Sequence, residues 1–287
     1  STQGVSSAAS DVYKRQRKTA STLIASACLA LLANLACADQ LADIKSRGVF
    51  VCGTLGTAEP FSFSNAQTRE VEGYDVDFCK ALARSLGVKL ELKLISVAAR
   101  IPELQQGRVD AVIANLGWSA ERAEQIAFSH QYFASEQKVA ARKDSGFTTL
   151  KDLSGKRVSA VKGSSSELLV RKAIPGATTI TFQDPPNAFL AMQQGKADGF
   201  AVSELNLVKF RQQSESTVPI VALEPSLVLE PWGIGMRKDE AGFIRQVNDT
   251  LETMEKSGEA RRIFDKWLGT GTAYKMQRGF RIEPIKG

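Results

Sequence analysis

Between residues 48 and 115 the apolar positions follow two periods in turn. GVFVCGT (48–54) is a β-rich run, and YDVDFCKALARSLG (74–87) places Val76, Phe78, Cys79, Leu82 and Leu86 on one helical face before Gly87 ends it. VKLELKLI (88–95) alternates with period two, RIPELQQG (100–107) predicts a helix closed by glycine, and VDAVIAN (109–115) is a continuous apolar strand. This alternation of strand and helix predicts an α/β domain with a mostly parallel sheet flanked by helices.

The order then repeats. KRVSAV (156–161), TTITF (178–182) and ADGFAVS (197–203) read as strands, with SSELLVRKAI (165–174) and NAFLAMQQG (187–195) as the helices between them. The two halves echo each other in letters: LQQGRVDAVIAN and MQQGKADGFAVS both close a helix in Gln-Gln-Gly, take one basic residue, and start a buried strand through Asp110 or Asp198. Two lobes of one topology follow. A last helical region, 242–269, carries Phe243, Val247, Leu251 and Met254 on one stripe, breaks near Ser257-Gly258, and resumes with Ile263, Phe264, Trp267 and Leu268. The tail from 269 to 287 has no period and reads as a surface wrap.

Ahead of this pattern the chain differs. Residues 1–16 have no hydrophobic period and are read as extraneous to the fold. Arg17-Lys18, the apolar run TLIASACLALLANLA and Ala36-Cys37-Ala38 then form the pattern of a signal peptide with its small-x-small cleavage site. Residues 1–38 are thus a leader, and the exported chain is expected to begin near Asp39. Lipidation of Cys37 is a rival reading, opposed by the polar Asn34 where lipoprotein signals carry leucine. The formal charge is +6, but Lys14, Arg15, Arg17, Lys18 and Asp11 belong to the leader, leaving 33 basic against 30 acidic side chains. So mild a surplus, with no block of like charge, gives a nucleic-acid partner little support.

Export changes the meaning of the cysteines. Cys28 and Cys37 fall in the leader, so Cys52 and Cys79 remain as an isolated pair. In an oxidising compartment they are a disulfide candidate; two small buried hydrophobes are the alternative.

Catalytic signatures are sparse. His130 is the one histidine, so no site of paired histidines exists, and no Cys-x-x-Cys, Gly-x-Ser-x-Gly or Walker-type glycine loop occurs. No metal and no cofactor is implied. The informative segment is GWSAERAEQIAFSH (117–130). With Ser119 as N-cap, Arg122 falls at the third helical position, where a free N–H donor already favours an anion. An anionic ligand shared by the guanidinium and the helix terminus accounts for this; ordinary capping with a solvated arginine is the bland alternative. In the second lobe VKGSSSE offers a counterpart, with Ser164 and Glu167 at capping-box spacing, Gly163 allowing close approach, and Ser164 and Ser165 able to donate to the same anion.

At these residues the chain resembles the family 3 solute-binding proteins of ABC transporters, the polar amino-acid receptors. The markers are FVCGT, EPFSF, EGYDVDFCKALARSLG, RIPELQQGRVDAVIAN, SAERAEQIAFSHQYF, LKDLSGKRVSAVKGSSSE, MQQGKADGF, EPWGIGMRK and SGEARRIFDKWLG, covering essentially the whole chain after the leader. The resemblance implies a two-lobed periplasmic-binding-protein fold of type II, with lobe one at 39–133 plus 232–287, lobe two at 134–231, and two hinge crossings near 132–136 and 228–232. It implies that Arg122 clamps a ligand α-carboxylate with Ser165 as partner, and that the backbone from Asn115 to Gly117 receives the α-ammonium. Two positions depart from the family: Gly117 stands where Ser or Thr is usual, and Ser203 where an Asp meets the ammonium. Glu204 follows Ser203, but strand alternation would turn it to the other face.

Specificity is mixed. Cys52, Cys79 and the Asn115, Trp118, Ser119 pattern resemble general L-amino-acid receptors, whereas ARIPELQQG and SGEARRIFDKW resemble glutamate/aspartate receptors, in which the position of Arg100 is close to the ligand side chain. Leu55, Phe61, Val97 and Trp118 are the expected apolar walls, with core packing as the alternative for the last three. The implied function is a monomeric periplasmic receptor that holds an amino acid between its lobes and delivers it to an inner-membrane ABC permease, without catalysis. A lyase of the cyclohexadienyl dehydratase type, with Glu59 or Glu204 as general acid, and a ligand sensor are the alternatives on the same scaffold.

Overall fold

The computed structural model describes residues 39–286, so the predicted leader, with its cleavage site and Cys37, lies outside the described residues. The described chain opens with α1 (Gln40–Arg47), capped by the Asp39 side chain and ended by Gly48 in the left-handed region at φ 69°. There follow β1 (Val49–Thr54), the short strands β2 (Thr57–Ala58), β3 (Ser62–Ser64) and β4 (Val71–Glu72), α2 (Tyr74–Leu86) and β5 (Lys89–Leu94). Next come α3 (Arg100–Gln105), β6 (Ala111–Val112), the single turn α4 (Ala120–Ala123) and the long β7 (Ala127–Arg142). The second half runs β8 (Arg157–Val161), α5 (Ser165–Ala173), β9 (Thr178–Phe182), α6 (Pro185–Gln193), β10 (Gly199–Ser203) and α7 (Glu204–Ser214). It closes with the long β11 (Ile220–Met236), α8 (Ala241–Lys256) and α9 (Glu259–Trp267).

The main sheet has the order β5-β1-β6-β11-β7-β10-β8-β9, and β2, β3 and β4 make a separate small sheet. The expected parallel pairs are present on both flanks: β1 lies parallel to β5 and β6, and β8 parallel to β9 and β10. Each parallel pair is separated in sequence by a helix, which is what parallel pairing requires. The structure adds two strands of 16 and 17 residues, β7 and β11, which pair antiparallel in the middle. The segments read as separate crossings face one another there, Phe133 against Trp232, Ala134 against Pro231, Ser135 against Glu230 and Glu136 against Leu229. Hydrogen bonding therefore runs unbroken from β5 to β9, whereas the repeat in the sequence predicts two lobes and not one long sheet. Register shifts bracket the paired stretch, one between Leu223 and Val228 and another between Trp232 and Gly233.

The repeated aspartates have a shared structural reason. Asp110 Oδ2 accepts from the Val51 amide at 2.7 Å, and Asp198 Oδ2 accepts from the Arg157 amide at 2.9 Å. In return the Asp110 amide donates to the Val51 carbonyl and the Asp198 amide to the Arg157 carbonyl. Each carboxylate thus pairs a strand-edge donor of the neighbouring strand, and each takes an arginine, Arg47 or Arg157, as counter-ion.

One core lies under the first half and the C-terminal helices. Phe61, Tyr74, Phe78, Tyr132, Phe133 and Trp232 are all essentially inaccessible and pack edge to face, tilted or, for Tyr74 on Tyr132, stacked, with ring centroids 4.9–6.1 Å apart. Phe243, Val247, Leu251 and Phe264 of α8 and α9 complete it, which covers the apolar stripe of the last helical region. Phe280 of the tail packs on Phe133 and Phe264, and Glu283 pairs with Gln131. Cys52 of β1 and Cys79 of α2 are joined in a disulfide inside this core, with Cα atoms 6.1 Å apart. Smaller clusters fill the second half on both faces of β8 and β10. No helix of the described residues is long and apolar enough to cross a membrane.

Candidate ligand-binding site

Arg122 is buried, with 6 % of its surface exposed, at the junction of the two halves. Ser119 accepts from the Arg122 amide at 3.3 Å, as expected of an N-cap, but the helix it starts is only one turn long. The side chain is held by something other than that helix. Nη1 donates to the Gly117 carbonyl at 2.7 Å and to Ser165 Oγ at 2.8 Å, and Nη2 donates to the Gly163 carbonyl at 3.1 Å. Burial depresses the guanidinium pKa, opposed by the nearby Glu230 and Glu121.

The loop from Asn115 to Ser119 owes its path to two fixtures. Asn115 adopts φ 50°, and its amide donates to Asp75 Oδ2 at 3.0 Å. Gly117 and Trp232 form an isolated bridge, and the Trp118 amide donates to the Pro231 carbonyl, which ties the loop to β11. Asp75 also accepts from Tyr132 Oη at 2.9 Å, and burial pushes its carboxyl up to about 7 against the pull of those two donors and of Arg100.

Arg100 is buried behind the same loop. Its Nε donates to the Val97 carbonyl, Nη1 to the carbonyls of Ala114 and Asn115, and Nη2 to the Gly163 carbonyl at 3.3 Å. Burial, together with the Arg122 charge, lowers its pKa to about 9. The Gly163 carbonyl therefore receives two arginines from across the cleft. The backbone there has φ 75°, and a Cβ at that position would stand 2.9 Å from Ala98 Cα, so only glycine fits.

Two recesses meet at Ser165, the hydrogen-bond partner of Arg122. The inner pocket is lined by Leu55, Val97, Arg100, Asn115, Ser164, Ser165 and Ser203, all singled out from the sequence. The outer recess is lined by Arg122, Trp118, Ser119 and Ser165, with Leu168, Val228 and Leu229. Ser165 and Glu230 belong to both. Ser164 caps α5 through the Glu167 amide at 3.2 Å, while the Glu167 carboxylate accepts from the Gly163 amide. Phe61 is placed elsewhere, fully buried in the aromatic core and away from both recesses, while its neighbour Ala58 reaches the inner pocket.

The acids proposed for a lyase lie apart from the inner pocket. Glu59 pairs with Lys209, and Glu204, the first residue of α7 rather than a strand residue, lies 3.7 Å from Lys138. The buried acid of the site is one that sequence reasoning passed over. Glu230, 5 % exposed, accepts at Oε2 from Gln137 Nε2 at 2.9 Å and from the Trp232 indole at 3.1 Å. Its Oε1 is 4.0 Å from Arg122 Nη1. Burial raises its carboxyl pKa, opposed by the Ser165 hydroxyl, Arg122 and Trp232. Gln137 and Ser166, joined at 2.7 Å, and Trp232 complete the wall. His130, expected in a loop, lies on β7, with Nε2 3.3 Å from Glu252.

Two α/β halves joined by a strand ribbon, with buried arginines and serines meeting between them, define a solute-binding architecture. Residues 50–270 match the bacterial extracellular solute-binding proteins, family 3, and the chain belongs to that family. It is 30% identical over 234 residues to the ABC transporter glutamine-binding protein GlnH of Bacillus subtilis (strain 168), covering 80% of this chain and 85% of that protein. It is 29% identical to the glutamate/aspartate import solute-binding protein of Escherichia coli (strain K12), with 88% of each covered. Among solved structures, an ancestral arginine-binding protein bound to arginine superposes with a TM-score of 0.73 at 32% identity, covering 78% of this chain and 99% of that one.

Proposed function

We propose that this protein is a periplasmic receptor that binds an amino acid between its two halves and hands it to an ABC permease, without catalysing a reaction. The observation that carries the reading is Arg122, a buried guanidinium that lines the outer recess and is bonded to Ser165 of the opposite half, a residue of both recesses. A guanidinium presents a planar fork that fits a carboxylate, and Ser164 and Ser165 add hydroxyls beside it. The α-carboxylate is clamped there, the ammonium lies toward Asn115, and the side chain extends toward Leu55, Val97 and Arg100. Contacts to both halves favour the joined arrangement, which is the form a permease recognises. The names of the relatives, which specify glutamine, glutamate or aspartate, and arginine, support an amino acid as the ligand.

Thermal unfolding against the proteinogenic L-amino acids and small carboxylates tests this. An amino acid at 100 times its dissociation constant adds roughly 2.7 kcal/mol to stability. Failure of every amino acid to raise the melting temperature overturns the reading.

A further inference from the structure

Ser203 and Gly117 are the two positions that depart from the pattern the resemblance implies, a serine where an acid is expected and no side chain where a hydroxyl is expected. The structure connects the two departures. A Cβ on Gly117 would coincide with the Glu230 carboxylate, so the glycine is the space in which that acid sits. On the amino-acid reading above, we infer that Glu230 is the acceptor for the ligand's α-ammonium group, and that Gly117 is the residue that admits it.

Three observations converge. First, Glu230 is only loosely paired with Arg122: a bidentate pair would share two short bonds with the guanidinium, whereas here the closest approach is 4.0 Å, and Oε2 is committed to Gln137 and Trp232. With the Ser165 hydroxyl as a further partner, the carboxylate, which has about four acceptor sites, keeps room for another donor. Second, the inner pocket holds two more buried acceptor atoms without a partner among the described residues, Asn115 Oδ1 and Ser203 Oγ. An ammonium offers three N–H donors, and the wall presents three acceptors. Third, Glu230 and Ser203 flank one glutamine: Gln137 donates to Glu230, and it stands opposite Ser203 in the pairing of β7 with β10. Glu230, Asn115 and Ser203 thus bring three acceptor groups to one pocket. Burial of this carboxylate outweighs the pull of Arg122 and Arg100, and an arriving ammonium offsets part of that cost.

The test compares ligands with and without the α-amino group. Each L-amino acid that raises the melting temperature is paired with its des-amino counterpart, glutarate for L-glutamate, glutaramate for L-glutamine and 5-guanidinopentanoate for L-arginine. Binding to the wild type and to Glu230→Gln is measured by calorimetry. The amino acid is expected to lose roughly 10- to 100-fold in Glu230→Gln, while its des-amino counterpart is unchanged or gains. Glu230→Gln combined with Ser203→Asp, which returns an acid to the other side of Gln137, is expected to recover much of the loss. Gly117→Ser should weaken the amino acid alone. Equal losses for both members of a pair, with no rescue by Ser203→Asp, overturn the inference and leave the receptor reading standing. If no amino acid binds the wild type, the receptor reading itself fails and takes this one with it.

Discussion

Arg122 and Ser165 meet between the two halves of the protein, Nη1 donating to Oγ at 2.8 Å. Residues 43 positions apart, on a one-turn helix and at the first position of α5, thereby share one polar contact. That contact is where we propose that the ligand carboxylate binds.

Arg122→Ala is expected to abolish the amino-acid-dependent rise in melting temperature while leaving a folded protein. Ser165→Ala removes one hydroxyl and is expected to weaken binding only about 5- to 10-fold, the worth of a single hydrogen bond. Calorimetry on the two variants distinguishes them. Undiminished binding in Arg122→Ala would show the arginine to be structural.

The disulfide gives a second expectation. Cys52 and Cys79 are 27 positions apart, and closing a loop of that length stabilises by about 3–4 kcal/mol in the chain-entropy account. Cys52→Ser with Cys79→Ser, or reduction of the wild type, is expected to lower the melting temperature by roughly 10 °C. Free-thiol titration of the denatured protein checks that the bridge was present.

Asp75 sets a pH dependence. Its carboxyl titrates near 7 in the folded protein and near 3.8 when unfolded, so the folded state holds the proton more tightly across that interval. Its contribution to stability is full below about pH 4 and falls as the pH rises to about 7. Asp75→Asn cannot titrate and loses the acceptor for the Asn115 amide. It is expected to be less stable than the wild type near pH 4.5, with the gap narrowing by pH 8. A gap in melting temperature that does not change with pH would contradict the assignment.

Trp232 provides an optical readout. Its indole donates to Glu230, and the ring is buried against Phe61 and Phe133. Tryptophan emission is expected to change on amino-acid binding, and Trp232→Phe to remove most of the change. Phe61→Ala, which opens a cavity in the same cluster, is expected to cost about 3–5 kcal/mol of stability.

Much of this organisation was legible in the chain. Period and glycine stops placed α2 to within one residue of its observed end, and TTITF is a strand over its full predicted length. The Gln-Gln-Gly echo identified Asp110 and Asp198, whose carboxylates seal matching strand edges. Less visible were β7 and β11. Their partner is each other, about 80 to 110 residues away, and β-bulges interrupt the alternation of β11. VDAVIAN, by contrast, pairs over only Ala111–Val112 because the chain must leave the ladder to form the loop on Asp75. Glu230 escaped notice because nothing local to EPWGIGMRK betrays a buried acid. The signal was distributed, in a glycine at 117 and a missing acid at 203, and only packing joins them.

Glu230 lies in the paired stretch of β7 and β11, opposite Ser135. If the hinge lies at the crossings expected near 132–136 and 228–232, Glu230 belongs to the pivot and not to either jaw. A rotation of one half against the other about this ribbon would sweep Arg122 and the serines of α5 along arcs but turn Glu230 almost in place. A molecule could then anchor its cationic end on the stationary point first and be enclosed afterwards, as a key sits on its pin before the tumblers fall.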